Sequence, residues 1–167
     1  MLTSRACSTR GPGVIADIAT SPTIRRLTAE DFDDLLRLHS YLHDEDPPIS
    51  NDEVVRELWL AILADGCQVY VGAFADGKLR SVATAAIVPN LTRGARPFAV
   101  IENVVTDPDY RRRGFAAAVM SHLVEVCRTR NCYKVMLLSA RGRSEAHEFY
   151  SRLGFDGDSK RAFVRRL

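Results

Sequence analysis

The chain has 167 residues and a formal net charge of +2 at pH 7; 46% of the residues are hydrophobic and 26% are charged. These values fit one folded domain of ordinary composition, and they exclude bulk attraction to nucleic acid or anionic lipid. No apolar run approaches the length of a membrane span. Cys7, Cys67, Cys127 and Cys132 form no Cys-x-x-Cys pair, so we expect reduced thiols in a cytoplasmic protein without a metal site.

Residues 1–22 differ in composition from the rest of the chain. They are rich in Ser, Thr, Gly and Pro, and their first acidic residue is Asp17. A transit peptide can have this composition, but Gly11-Pro12-Gly13 would interrupt its helix. We therefore expect a disordered extension, or an upstream start codon, followed by a single domain over residues 23–167.

The domain is predicted to begin with a strand and two helices. Thr23–Leu27 is the strand, and Thr28 is a suitable N-cap for a first helix that ends before Pro47. The second helix begins at the capping box Ser50-x-x-Glu53 and ends at Asp65-Gly66. Apolar residues recur at helical spacing in both helices: Phe32, Leu35, Leu36 and Leu38 in the first, and Val54, Val55, Leu58, Trp59, Ile62 and Leu63 in the second.

Three strands are predicted in the middle of the chain. Gln68–Ala75 and Leu79–Val88 flank Asp76-Gly77, a pair of residues typical of the type I′ turn in a hairpin. A longer loop, Pro89–Pro97, leads into the strand Phe98–Thr106.

The second half alternates helices and strands. A helix begins after Gly114, a strand follows at Lys134–Ser139, and a second helix lies near Ser144–Leu153, with Gly154 as its terminator. A closing strand is predicted near Arg161–Arg166. The whole order predicts an α/β domain with a mixed central sheet flanked by helices.

The segment that joins the strand Phe98–Thr106 to the next helix predicts a pyrophosphate site. Gly114 and the small Ala116 allow phosphates to approach the backbone, and the first N–H groups of a helix have no partners within it. Arg111, Arg112 and Arg113 add charged donors suited to phosphate. The alternative is that these arginines form a solvated helix end or a nucleic-acid patch.

This segment resembles the acyl-CoA motif of the GNAT superfamily of N-acyltransferases. The motif is present as Arg111-x-x-Gly114-x-Ala116, and the strand Cys132–Ser139 follows it at the family's spacing. Phe149-Tyr150-x-x-x-Gly154-Phe155 resembles the family's C-terminal motif. The resemblance covers residues 23–167 and implies a GNAT fold with acetyl-CoA as co-substrate and no metal.

Two segments are also similar to glucosamine-6-phosphate N-acetyltransferases, namely Ile101-Glu102-Asn103 and Asn131–Lys134. Those enzymes carry asparagine at the position of Ala146, whereas aminoalkylphosphonate N-acetyltransferases resemble this chain there. The acceptor therefore stays open at this stage.

The resemblance also implies roles for individual residues. Val104 and Val105 would bind the pantetheine arm through their main chain, and a backbone N–H near Val104 would stabilise the oxyanion. The pyrophosphate would be bound by the loop and the start of the helix: Arg111, Arg112, Arg113, Gly114, Phe115 and Ala116.

Tyr150 and Glu102 are the predicted catalytic residues. Tyr150 would protonate the leaving thiolate, although a tyrosine beside Phe149 could equally belong to the core. Glu102 would remove the proton of the attacking ammonium, directly or through water, although it could equally be an exposed strand carboxylate. His147 is expected to be a surface residue.

The resemblance places acceptor contacts on the first two helices and on the loop before the strand Phe98–Thr106. The charged and aromatic residues there are His39, Tyr41, His43, Asp44, Glu45, Asp46, Arg93 and Arg96. They would suit a small amine that also carries an anionic group, although two solvated loops have the same composition. We predict an N-acetyltransferase that acts on the primary amine of a small molecule by direct attack; the alternatives are an acyl-CoA-binding sensor and a protein N-acetyltransferase. A homodimer is compatible with the sequence.

Overall fold

The computed structural model describes residues 21–42, 47 and 49–165. Short 3-10 turns lie at Ala29–Asp31 and Pro108–Tyr110. No helix in these described ranges is long and apolar enough to cross a membrane. The remaining elements are β1 (Thr23–Arg26), α1 (Phe32–His39), α2 (Glu53–Ala64), β2 (Gln68–Ala75), β3 (Lys78–Val88), β4 (Phe98–Thr106), α3 (Phe115–Thr129), β5 (Val135–Leu137) and α4 (Ser144–Arg152).

The five strands form one mixed sheet in the order β1-β2-β3-β4-β5. The pairs β1–β2, β2–β3 and β3–β4 are antiparallel, and β5 runs parallel to β4. The predicted α/β class, with a mixed sheet flanked by helices, is confirmed.

The two faces of the sheet bury different helices. Ala83 and Ala85 of β3 belong to the cluster that contains α3, whereas Val82 belongs to the cluster that contains α1 and Trp59 of α2. This alternation follows from the two-residue period of a strand. We call the two faces the α3 face and the α1 face.

The predicted hairpin between β2 and β3 is confirmed. Asp76 and Gly77 both have positive φ angles, +53° and +70°, as a type I′ turn requires. The turn places the Asp76 carboxylate within hydrogen-bond distance of the Tyr110 hydroxyl, which follows β4.

The beginnings of both N-terminal helices differ from the prediction. Thr28 starts the 3-10 turn, and α1 begins only at Phe32. The N-cap of α2 is Asp52 and not Ser50, because the Asp52 carboxylate accepts a hydrogen bond from the Val55 N–H at 3.0 Å. Ser50 Oγ donates to the same carboxylate at 2.5 Å. A carboxylate one residue before the first helical residue is better placed than a hydroxyl two residues earlier to accept from the N–H groups of the first helical turn.

The apolar side of α2 is only partly buried. Trp59 is 4% exposed, but Val54 is 74% and Leu58 is 58% exposed. The predicted stripe is therefore wider than the surface that α2 packs against, because helical spacing does not say how much of a face a neighbour covers.

The predicted closing strand is not formed in residues 156–165, which contain neither helix nor strand. Phe163 is 90% exposed there. Strand propensity is a weak preference that depends on pairing with a neighbour, and none of the described strands pairs with this segment. Arg166, Leu167 and nearly all of the predicted extension 1–22 lie outside the described residues.

Candidate functional site

A bulge interrupts β4 just after Glu102. Val105 pairs with Val82 and Glu102 pairs with Thr84, so two residues of β4, Asn103 and Val104, lie opposite one residue of β3. Asn103 takes the left-handed conformation, with a φ of +55°. Such a bulge bends a strand and redirects the side chains that follow it.

The bulge changes which face each β4 residue meets. Ile101 packs on the α3 face before it, and Val104 also packs there after it, while Val105 is buried on the α1 face. The Val105 carbonyl accepts a hydrogen bond from Ser81 Oγ at 3.0 Å. Of the two valines predicted to bind pantetheine, Val104 is therefore the less enclosed.

β4 and β5 separate at the same point. β5 pairs with Ala99, Val100 and Ile101 only. In the part of the chain that the structure describes, Glu102 to Thr106 have no strand partner on that side. The β4 edge beside this gap contains three of the predicted site residues, Glu102, Val104 and Val105.

The turn after β4 is held by a nearly buried carboxylate. Asp107 is 6% exposed, and it accepts hydrogen bonds from Arg37 of α1 at 3.0 Å and from Arg80 of β3 at 3.2 Å. Its other oxygen accepts the Asp109 N–H at 3.2 Å. Burial alone would raise the pKa of Asp107, but the bonds from Asp109, Arg80 and Arg37 outweigh it and lower the pKa.

Tyr110 also holds the turn after β4 in place. Its hydroxyl donates to Asp76 at 2.6 Å, its ring lies under the Arg80 guanidinium at 4.2 Å, and it packs edge-on against Phe115 at 5.4 Å. The turn that leads into the predicted phosphate loop is thus fixed to the β2–β3 hairpin and to α3.

The loop Arg111–Gly114 leads into the N-terminus of α3 with unpaired backbone amides. Arg112 and Gly114 have φ angles of +59° and +84°, and Gly114 is the N-cap of α3. Among the described residues, the N–H groups from Arg112 to Gly114 donate to no other group. A Cβ at Gly114 would meet no atom within 4 Å, so the space above this glycine is open. Amides that converge at a helix N-terminus form an anion-binding site.

The residues predicted to bind pyrophosphate lie together here. Arg111, Arg112 and Arg113 are all exposed. Arg113 stacks over Tyr110 at 5.0 Å, and Arg111 Nε reaches the Thr106 carbonyl at 3.4 Å. The Phe115 side chain is buried in the core, so Phe115, like the half-buried Ala116, can offer a ligand only its backbone N–H.

Tyr150 lies on α4, half-buried against the α3 face. Its ring packs against Phe149 at 5.2 Å and Phe155 at 6.1 Å. Burial raises the pKa of Tyr150, the charge of Arg143 lowers it and the charge of Glu102 raises it further, with a net increase. Because its pKa is raised, the tyrosine is protonated at neutral pH.

The α1 side contains buried polar groups, and one of them, the hydroxyl of Thr84, was not singled out from the sequence. Three side-chain atoms are buried without a hydrogen-bonding partner in the described part of the chain: His39 Nε2, Trp59 Nε1 and Thr84 Oγ1. Burial lowers the pKa of His39, so this imidazole is neutral at pH 7. The sequence did carry a signal for Thr84, because it is a polar residue inside the apolar run Val82–Ile87.

The predicted acceptor loops are only partly described. His43, Asp44, Glu45 and Asp46 lie outside the described residues. Arg96 donates to the Asn131 and Cys132 carbonyls at 3.1 and 3.2 Å, so its guanidinium already supports the loop before β5. Arg96 precedes Glu102 by six residues, which is about 20 Å of extended chain. This separation argues against the prediction that Arg96 contacts the acceptor.

The cysteines of the described residues are not bonded to one another. Cys67, Cys127 and Cys132 are free thiols, and burial raises the pKa of Cys127 to about 11. No group of three or more His, Cys, Asp or Glu side chains in the described ranges could hold a metal ion.

The chain is similar to proteins of a known family. Residues 33–155 match the acetyltransferase (GNAT) family. Glucosamine 6-phosphate N-acetyltransferase of Trypanosoma brucei brucei is 33% identical over 135 residues, which are 79% of this chain and 87% of the relative.

Solved structures show the same fold. A provisionally named acetyltransferase from Agrobacterium tumefaciens str. C58 superposes with a TM-score of 0.81 at 38% identity, over 86% of this chain and 99% of the other. An acetyltransferase of Trypanosoma brucei has a TM-score of 0.73 at 30% identity, over 87% and 99%. Glucosamine-6-phosphate N-acetyltransferase of Arabidopsis thaliana is similar in fold, with a TM-score of 0.76 at 22% identity, over 87% and 98%.

Proposed function

The chain belongs to the acetyltransferase (GNAT) family and is an acetyltransferase, and from this premise we propose that it transfers an acetyl group from acetyl-CoA to the primary amine of a small molecule. The observation that carries the proposal is the sequence of two features along the described chain: a β4 edge without a strand partner from Glu102 to Thr106, then a loop, Arg111–Gly114, whose N–H groups from Arg112 onward donate to no described residue.

The loop fits the pyrophosphate of acetyl-CoA, the acetyl donor that this family uses. Its free N–H groups and the open space above Gly114 accept an anion without moving the backbone. Three exposed arginines supply compensating charge. Binding needs no metal, because arginines and amides neutralise the phosphates themselves.

The exposed edge of β4 fits an extended, amide-containing chain such as the pantetheine arm. An unpaired strand edge offers N–H and C=O groups that an extended ligand can pair with. We assign this contact to the backbone at Val104 and Val105. Because the Val105 carbonyl is already bonded to Ser81, we expect Val104 to make the larger contribution.

The proton transfers can be assigned to two side chains. Glu102 takes a proton from the acceptor's ammonium, and the neutral amine then attacks the thioester carbonyl to form a C–N bond. A backbone N–H near Val104 donates to the oxyanion. As the C–S bond breaks, Tyr150 gives its proton to the sulfur and regains one from the nitrogen, which leaves an amide, a thiol and a protonated Glu102.

Amino sugar phosphates are the acceptors to test first. The Trypanosoma brucei brucei relative is a glucosamine 6-phosphate N-acetyltransferase, and glucosamine 6-phosphate combines an amine with an anion, a combination that would suit the predicted acceptor loops. Ala146 is a departure from that type of enzyme, so the panel should also contain aminoalkylphosphonates.

Steady-state kinetics with a panel of acceptors would test the proposal. Thiol release from acetyl-CoA would be measured with glucosamine 6-phosphate, glucosamine, an aminoalkylphosphonate, a polyamine and a lysine-rich peptide. We expect the highest kcat/KM for an anionic small amine. A higher value for the peptide would indicate a protein acetyltransferase, and CoA binding without turnover on any amine would indicate a sensor; either result would overturn the proposal.

A further inference from the structure

Two cysteines lie side by side where α3 ends. The chain leaves this helix through a Schellman motif: the Asn131 N–H donates to the Arg128 carbonyl at 2.9 Å, and the Cys132 N–H donates to the Cys127 carbonyl at 3.0 Å. Asn131 has the positive φ, +58°, that this motif requires. The two residues that the second bond joins frequently contact each other through their side chains in this motif. The end of α3 therefore brings the thiols of Cys127 and Cys132 together.

The backbone bond limits the distance between these two residues. A hydrogen bond of 3.0 Å from the Cys132 N–H to the Cys127 carbonyl keeps the two Cα atoms within about 7 Å of each other, given standard backbone bond lengths. Disulfides join Cα atoms that are about 4.4–6.8 Å apart. The backbone is therefore already close to the spacing that a disulfide needs.

The turn that contains Cys132 is also held from its other side. Arg96 of the β3–β4 loop donates to the Asn131 and Cys132 carbonyls at 3.1 and 3.2 Å, and the Tyr133 N–H donates to the Pro97 carbonyl at 2.9 Å. These bonds fix Cys132 while α3 fixes Cys127. Because the fold holds both residues in place, a covalent bond between them would need little further ordering.

Both thiols lie in or against the core of the α3 face. Cys127 is 0% exposed, and Cys132 is partly buried against the same cluster. Burial raises the pKa of Cys127 to about 11 and also raises the pKa of Cys132, while the hydrogen bond between the two thiols raises the first pKa and lowers the second. The charge of Arg130 lowers both values, and that of Arg96 lowers the pKa of Cys132. Both thiols are therefore protonated at pH 7, and Cys132 is the one that a reagent reaches first.

We propose that Cys127 and Cys132 are a reversible modification site, at which a small-molecule disulfide such as oxidised glutathione converts the two thiols to an internal disulfide. The Cys132 thiolate attacks one sulfur of oxidised glutathione, which forms a mixed disulfide and releases a glutathione thiolate. The Cys127 thiolate then attacks the Cys132 sulfur and releases the second glutathione. Two protein thiols are oxidised, and one glutathione disulfide is reduced to two glutathione thiols, which take up the two protons.

This disulfide would join the end of α3 to the turn before β5. β5 begins at Val135, which pairs with Ala99, three residues of β4 before Glu102. The bond would therefore tie a helix to the sheet at the end of β5 that lies away from the gap beside Glu102. Its expected effect is on the stability of the fold, and the inference does not depend on the proposed function.

Peptide mapping of the folded chain tests the proposal. The chain would be incubated with mixtures of reduced and oxidised glutathione, its remaining thiols alkylated, and the product digested with trypsin. Cleavage after Arg128 and Arg130 places Cys127 and Cys132 in separate peptides, residues 114–128 and 131–134. We expect a linked pair of these peptides that is two hydrogen atoms lighter than their sum and that dithiothreitol separates.

Thermal unfolding and the rate of oxidation give two further readouts. Oxidation should raise Tm by about 2–8 °C, because a covalent loop restricts the unfolded chain. Since both pKa values are raised, the disulfide should form roughly tenfold faster for each pH unit between about pH 7 and 8.5. Cys132→Ser should give no linked peptides and no increase in Tm. Cys67→Ser is the matched control, because Cys67 is also half-buried, and it should behave as the wild type.

Four results would overturn the proposal. The first is the absence of the linked peptides at every glutathione ratio, or their formation only in urea. The second is a mixed disulfide that persists at Cys132, which would show that Cys127 cannot reach it. The third is a link from Cys132 to Cys67 or Cys7 instead, and the fourth is an equal increase in Tm in Cys132→Ser.

Discussion

The carboxylate of Asp107 and the guanidinium of Arg80 are 3.2 Å apart in a nearly buried ion pair that joins the end of β4 to β3. The same carboxylate oxygen accepts a second guanidinium, that of Arg37 in α1. Asp107 precedes the Arg111–Gly114 loop by four residues, and Arg80 stacks on the tyrosine between them. The pair therefore determines how the chain leaves the sheet to enter the Arg111–Gly114 loop.

We predict that Asp107→Asn weakens acetyl-CoA binding as well as the fold. Removing the charge takes away the counter-ion that Arg37 and Arg80 share, and leaves them only the more exposed Asp34 at 3.2 Å and Asp76 at 3.9 Å. The free energy of unfolding should therefore fall by about 1–3 kcal/mol. The KM for acetyl-CoA should rise several-fold while kcat changes little, because Tyr150 and Glu102 are untouched. Asp31→Asn is the control, since Asp31 forms a comparable pair with Arg25 far from the loop, at 2.7 Å; an equal rise in KM there would show a general effect of lost stability.

The lowered pKa of Asp107 also predicts how stability depends on pH. A carboxyl whose pKa is lower in the folded state stabilises the protein above the pKa of the unfolded chain, and that contribution is lost as pH falls through the folded value. Urea unfolding between pH 6 and pH 3 should therefore show a shallower decrease for Asp107→Asn than for the wild type. Parallel curves for the two proteins would contradict the assignment.

Gly114→Asp tests the phosphate loop. The substitution places a side chain and a negative charge in the open space above the loop amides, so CoA affinity should fall by at least about tenfold, which is ~1.4 kcal/mol. Gly94→Asp is a matched control, because Gly94 has a similar positive φ of +71° and equally open surroundings in the β3–β4 loop. Calorimetry that shows the same CoA affinity for both folded variants would remove the pyrophosphate assignment.

Tyr150→Phe tests the general acid. The substitution keeps the ring that packs against Phe149 and Phe155, so CoA affinity and the unfolding midpoint should be retained while kcat falls by roughly 10²-fold. Tyr133→Phe removes a hydroxyl outside the site and should keep wild-type kcat. Full turnover in Tyr150→Phe would mean that another group protonates the thiolate.

The raised pKa of Tyr150 predicts the alkaline limit of the reaction. The acid must be protonated to donate, so its contribution is present at neutral pH and is lost only as pH rises above about 10, the ordinary tyrosine value. The kcat of the wild type should decrease there, and the residual kcat of Tyr150→Phe should not. A decrease below pH 9 that is absent from the variant would show that the pKa is lowered instead.

The amino-acid sequence by itself determined the parts of this protein that depend on contiguous residues. The hairpin turn at Asp76-Gly77 and the strand Phe98–Thr106 follow from local backbone preferences. The exposed arginines and unpaired amides of the loop Arg111–Gly114 could be located for the same reason, because they are neighbours in the chain, and their role in binding phosphate stays a prediction. The roles of Glu102 and Tyr150 remain predictions that the kinetics above would test.

Only the tertiary structure decided which distant residues meet. The row Tyr70–Thr84–Glu102 depends on the register of three strands, and the contact of Asp107 with Arg37 joins residues 70 positions apart. Register is set by packing against both helical layers and by the bulge at Asn103, neither of which leaves a local signal. The closing strand failed as a prediction for the same physical reason, since residues near 161–165 have strand-like composition but no neighbouring strand to pair with.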